Sequence, residues 1–167
     1  QNEFDLAVSF NALHWVPEQE SALGGLRAAL VLGGRAQFRL VTVGARPSLE
    51  SVVEETRRAP AWKAYFESFD DPYLRLTPDE YAAAAERSGF RVLRLQTADH
   101  AWDFGSRAAF AGFCAVGSVA WTDRLPAAER PKFLNDVLGR YQSVAAERAG
   151  EENTFRFYQT DISLVAA

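Results

Sequence analysis

Methionine is absent from all 167 residues, so Gln1 is not a translational start. The chain also enters at once on the apolar run Phe4-Asp5-Leu6-Ala7-Val8-Ser9-Phe10. Domains seldom begin in a core strand, and the sequence reads as one cut from a longer polypeptide. Cysteine occurs once, as Cys114, which excludes an internal disulfide framework and makes an oxidising compartment unnecessary. The two histidines, His14 and His100, stand far apart, so neither a zinc site nor a Cys/His nucleophile has local support, and no metal is expected. No P-loop, G-x-S-x-G elbow or H-E-x-x-H motif is present. No apolar run reaches the roughly 20 residues of a membrane-spanning helix and no signal peptide is evident, which points to a cytoplasmic protein with no membrane partner. Lysine is confined to Lys63 and Lys132, and the arginines are scattered along a chain of net charge −4. A nucleic-acid partner is therefore not expected, since such a surface needs its basic residues on one face.

What remains is a hydrophobic content of 48% and an aromatic content of 13%, ample for one packed domain over residues 1–167. Leu6 to Phe10 reads as a buried strand, and Asn11 to Trp15 as the loop at its carboxyl end. Pro17 suits the first position of a helix, with Glu18 and Glu20 at its positive dipole end. Leu23, Leu26 and Leu30 recur at helical spacing, and Gly33-Gly34 reads as the helix stop. Ala36 to Val43 is a second strand. Strand, helix and strand in this order predict a parallel crossover and an α/β fold. Ser48 to Arg58 is helical, Ala61 to Phe69 is short and aromatic, and Thr77-Pro78-Asp79-Glu80 is a capping box opening a helix that Gly89 stops. Phe90 to Trp102 is a third strand. Helices follow at Ser106–Val116 and from Pro126 or Pro131 to about Ala149, where Pro131 either begins or kinks the helix. Thr154 to Val165 is the last strand.

The segment Phe4-Asp5-Leu6-Ala7-Val8-Ser9-Phe10-Asn11-Ala12-Leu13-His14-Trp15-Val16 resembles the fourth strand and following loop of class I S-adenosylmethionine-dependent methyltransferases. Leu32-Gly33-Gly34 is similar to that family's turn before its fifth strand. Glu55 to Phe66 and Trp102 to Tyr141 resemble the trans-aconitate branch, which has an aromatic helical insertion before its last strand. The resemblance implies a partial Rossmann-like methyltransferase fold: the last four strands, the final one antiparallel, with flanking helices and a helical insertion on the substrate side. It makes the chain the C-terminal portion of a methyltransferase domain. The family's glycine-rich loop after strand one and the acidic end of strand two have no counterpart here, so the chain alone is expected to bind the cofactor weakly or not at all.

By the same resemblance, S-adenosylmethionine is the cofactor, and the backbone of Phe10, Asn11 and Ala12 faces its methionine portion. His14 hydrogen-bonds a small-molecule acceptor, while Trp15, Trp62 and Trp102 wall the pocket. Each has a plainer reading, with Trp15 anchoring its loop and His14 bonded locally. Trp62, Phe66, Phe69, Tyr73, Trp102, Phe104, Phe110, Phe113 and Trp121 form either a substrate lid or ordinary core. Arg46 and Arg75 pair with an anionic acceptor or are solvated. No base dyad is evident and no catalytic residue is assigned; an acceptor carboxylate is ionised near neutral pH and needs none. The alternative is a non-catalytic fragment or degenerate domain that self-associates, as a homodimer, through the open N-terminal strand.

Overall fold

Alternating side chains and β-formers carry Phe4–Phe10 as strand β1, which is followed by a single 3-10 turn at Leu13–Trp15. The elements that follow, in chain order, are helix α1 (Gln19–Ala29), strand β2 (Leu30–Thr42), helix α2 (Leu49–Arg57), a second 3-10 turn (Lys63–Phe66), helix α3 (Pro78–Arg87) and strand β3 (Phe90–Asp103). Helices α4 (Arg107–Gly117), α5 (Val119–Thr122) and α6 (Arg130–Ala145) then lead to strand β4 (Thr154–Ala166). The computed structural model describes residues 2–71 and 73–167. They form two compact units: residues 2–44, 73–100 and 157–167, and residues 45–71 and 101–156.

In the first unit β1 and β2 pair in parallel, from Leu6 opposite Arg35 to Phe10 opposite Arg39. β4 pairs antiparallel with the other side of β2, from Arg35 opposite Val165 to Thr42 opposite Tyr158. The order is β1-β2-β4-β3, with the final strand antiparallel as the resemblance implies. The buried faces of β2 (Ala36, Phe38, Leu40) and β4 (Ile162, Leu164, Ala166) join Leu23 of α1 and Tyr81, Ala84 and Ala85 of α3 in one apolar cluster. The capping box is formed: Thr77 Oγ1 accepts the Glu80 N–H (3.2 Å) and Glu80 Oε2 accepts the Thr77 N–H (2.8 Å). On the opposite sheet face Arg39 and Asp161 make a bidentate, solvent-exposed pair (2.8 and 3.0 Å), worth little to stability.

Gly33-Gly34 does not stop the helix. α1 ends at Ala29 because Leu30 turns extended (φ −82°, ψ 141°) and sinks wholly into the core. The glycines lie inside β2, where Gly33 has φ +77° and a Cβ on Gly34 would lie 2.9 Å from the Val31 oxygen and 3.3 Å from that of Phe4. They produce the register irregularity between Phe4 and Leu6. Pro17 likewise precedes the helix, which opens at Gln19 behind an N-cap, Glu18, that makes no side-chain bond.

The second unit is helical apart from the outer parts of β3 and β4. Ser48 caps α2 and Ser106 caps α4, each through its side chain. Pro131 stands in the first turn of α6, where a missing N–H costs nothing, so it begins the helix and does not kink it. That helix stops at Ala145 as Ala146 becomes extended, short of the expected Ala149. No helix among the described residues is long and apolar enough to cross a membrane.

Candidate active site

β1 ends in a backbone reversal made without glycine. Asn11 has φ 53°, a left-handed conformation that asparagine tolerates better than most residues with a Cβ. Its N–H donates to Arg39 O (2.8 Å), and its Oδ1 accepts from Gln159 Nε2 (3.2 Å). Such strained positions cluster at functional sites, and the carboxyl ends of parallel strands are where open α/β sheets bind ligands. Ala12 follows, and the N–H groups of Trp15 and Val16 close the next turn on Ala12 O and Leu13 O (3.0 Å each). Leu13 enters the core, Phe10, Asn11, Ala12 and Trp15 are exposed, and His14 is half-buried.

His14 is fixed in one state. Its Nδ1 accepts the Val41 N–H (3.3 Å), which places the ring proton on Nε2. Burial pushes its pKa down to about 4, so the imidazole is neutral around pH 7. In that state Nε2 carries a proton it can donate in a hydrogen bond and has no lone pair to accept another. The ring lies 5.3 Å from that of Trp15, whose other side meets Tyr73 edge-on at 5.0 Å.

Two features escape a sequence reading. Gln19 is 1% exposed, and its Nε2 donates to Leu74 O (2.9 Å) and, less closely, to His14 O (3.4 Å). Its Oε1 has no hydrogen-bond partner among the described residues. The only trace in the sequence is a neutral amide between Glu18 and Glu20. The second is a row of hydroxyls, with Thr42 bonded to Thr160 (2.8 Å) and Thr160 to Thr97 (2.9 Å).

Phe10, Asn11, Ala12, His14 and Trp15 thus share the carboxyl end of β1 in the first unit, whereas Trp62 and Trp102 belong to the second. Trp62 is 6% exposed, with its Nε1–H donated to Asp136 (2.8 Å) and its ring edge-on to Phe133. Trp102 stands on β3 at 64% exposure. Phe66, Phe69, Phe110 and Trp121 are core. Beside them Glu54 accepts from Trp121 Nε1 (2.6 Å), Arg57 Nε (2.7 Å) and Arg58 Nη2 (2.9 Å). Burial works to raise the Glu54 pKa, but the hydrogen bonds from Arg57 and Trp121 and the two guanidinium charges outweigh it and hold the carboxyl below its usual range. Burial pushes the Cys114 thiol up to about 11, which leaves it a poor nucleophile.

Among the described residues, no glycine pair lies in a strand-to-helix loop. Gly24 and Gly25 lie within α1 and Gly33 and Gly34 within β2, while a Cβ on Gly44 would sit 2.3 Å from the ring of Tyr158. Among the described residues, no three His, Cys, Asp or Glu side chains are grouped to hold a metal.

No family model matches the sequence, and no curated protein matches it. Solved structures do match in fold. A protein of Bacillus halodurans C-125 described as a methyltransferase is 14% identical, with a TM-score of 0.64 over 99% of this chain and 70% of its own. Loganic acid methyltransferase with SAH is also 14% identical, with a TM-score of 0.63 over 99% of this chain and 62% of its own. The [4+2]-cyclase SpnF is 16% identical, with a TM-score of 0.51 over 98% of this chain and 50% of its own. This chain therefore has the Rossmann-like α/β fold of methyltransferase structures, a fold that also carries a cyclase.

Proposed function

We propose that this chain is the acceptor-side portion of an S-adenosylmethionine-dependent methyltransferase acting on a small molecule that bears an ionised carboxylate. The observation that carries the reading is the state of His14 beside the reversal at Asn11. A neutral imidazole with Nδ1 engaged offers an Nε2–H donor and no base, so it suits an acceptor that enters already ionised. S-adenosylmethionine, when bound, supplies a methyl group on a sulfonium centre. The protein's part is alignment and exclusion of water: the Asn11–Ala12 backbone holds the methionine end, His14 orients an acceptor oxygen, and Trp15 with Tyr73 shields one side. The groups for adenosine and ribose come from another part of the polypeptide.

Calorimetric titration with S-adenosylhomocysteine tests this, applied to the present chain and to the longest polypeptide its gene encodes. Binding by the longer polypeptide alone is the expected result. Tight binding by this chain would show a complete cofactor site and refute the division of labour, and silence from both would remove the methyltransferase reading. A second reading, self-association without catalysis, is favoured by the apolar row of β1: Phe4, Leu6, Val8 and Phe10 are 56–59% exposed.

A further inference from the structure

Past the end of β1, the edge of β2 that it occupied is taken up by two other segments. Asn11 donates its N–H to Arg39 O (2.8 Å), and by the two-residue alternation of a strand the next amides on that edge are those of Val41 and Val43. Val41 donates to His14 Nδ1 (3.3 Å), and Val43 donates to Leu76 O (3.0 Å). The turn at Leu13–Trp15 and the segment from Tyr73 to Leu76 are thus neighbours, rooted in one apolar cluster through Leu13 and Leu76. Their outer parts touch where Trp15 meets Tyr73 edge-on.

Gln19 joins the two. It is the first residue of α1, and side chains on a helix lean back toward the N-terminus, here toward the turn that precedes it. Its carboxamide is buried and donates to Leu74 O (2.9 Å) and to His14 O (3.4 Å). Both partners are acceptors, so only the NH2 end can face them. Turning the amide over would set Oε1 against two carbonyl oxygens. Oε1 is therefore committed to a buried position in which it has no hydrogen-bond partner among the described residues. A buried carbonyl oxygen left in that state costs free energy. Methionine, of similar length and volume, would fill the same space without that cost. Packing does not account for an amide here, whereas its hold on two carbonyls does.

We propose that Gln19 is a positioning residue, whose NH2 group ties the His14 turn to the Tyr73–Leu76 segment and so keeps the His14 ring seated on the Val41 amide. The same tie keeps Trp15 against Tyr73. Every group involved belongs to the first unit. The consequence for catalysis rests on the reading of His14 as the donor to the acceptor; the tie itself does not.

The test is nuclear magnetic resonance of this chain and its Gln19→Met variant at a single neutral pH. The variant retains the bulk of the side chain and removes both donors. The Val41 amide should lose about tenfold of its protection from hydrogen exchange, the equivalent of one hydrogen bond. The His14 ring nitrogens should pass from the Nε2–H form to a mixture of tautomers, and the cross-peak between the Trp15 and Tyr73 rings should weaken. The amides of Phe38 and Leu40, within the sheet, should keep their protection and so report an intact fold. Gln19→Leu should behave as Gln19→Met does. If Gln19 only fills space, the methionine variant keeps the Val41, His14 and Trp15 signals of the parent, and that result overturns the proposal. Loss at Val41 with an unmoved Trp15–Tyr73 contact overturns it as well, because the two segments then move separately. Failure of both variants to fold overturns it in favour of a purely structural amide. The measurements use neither cofactor nor acceptor, so their outcome is separate from that of the calorimetric test of methyl transfer.

Discussion

The state of His14 can be weighed by titrating stability against pH. Burial lowers its pKa from 6.5 to about 4. For a base whose folded pKa is depressed, the unfolded chain binds the extra proton between those values. The contribution of His14 is therefore fully present above pH 6.5 and is lost as pH falls from 6.5 toward 4. At 1.36 kcal/mol per tenfold change in proton affinity the full displacement corresponds to about 3 kcal/mol, and solvent at the exposed edge of the ring reduces it to roughly 1–2 kcal/mol. The perturbation is His14→Gln, which retains an acceptor for the Val41 N–H and does not titrate. Urea unfolding of both proteins from pH 7.5 to pH 4 isolates His14, because every carboxylate titrates in both. The parent should lose roughly 1–2 kcal/mol relative to the variant over that window, a difference of about 2–4 °C per kcal/mol in a melting experiment on a chain of this size. A difference curve flat across the window would refute the reasoning. So would an imidazole nitrogen spectrum showing His14 titrating near 6.5, or protonated on Nδ1 at neutral pH.

Glu54→Ala should destabilise the helical unit by about 3 kcal/mol, since it strands the Trp121 indole N–H and the Arg57 guanidinium in partly buried surroundings; chemical denaturation followed by tryptophan fluorescence measures it. Because the Glu54 pKa is held below its ordinary value, its contribution stands in full above that ordinary value and fades on acidification through the lowered one. Substitutions at Asn11 should sort by backbone: Asn11→Gly leaves stability nearly unchanged, whereas Asn11→Val costs roughly 1–2 kcal/mol because a branched residue resists positive φ. Paired urea midpoints decide that contrast, and equal values for glycine and valine would show that the reversal relaxes freely.

Local signals were the legible ones. The crossover from β1 to β2, the Thr77 capping box and the antiparallel last strand all follow from periodicity, caps and the resemblance. The segment from Phe10 to Trp15 stands out as a candidate site because it closes a parallel strand. The remainder depends on partners distant in sequence. Gly33-Gly34 looks like a helix stop, and only the burial of Leu30 shows that the strand has already begun. The tautomer of His14 is set by a backbone amide at Val41, and the grip of Gln19 on its loop by a carbonyl at Leu74. Trp62 and Trp102 look alike as aromatic wall candidates, yet Asp136 and Phe133 draw one into a helical core while the other stays exposed on a strand. Composition cannot separate them.

The interleaving of the two units has a kinetic consequence. β2 can take β1 as a neighbour soon after both leave the ribosome, but its other neighbour is β4, and Arg39 and Asp161 meet across 122 positions of chain. The whole second unit is synthesised in the interval, and β3 must wait as well, because its place in the sheet lies beyond β4. Closing such a long loop before any pairing rewards it is slow, and an unpaired central strand is open to capture by other chains meanwhile. Refolding should therefore be paced by the docking of β4, with the helical unit forming earlier around α2 and α6.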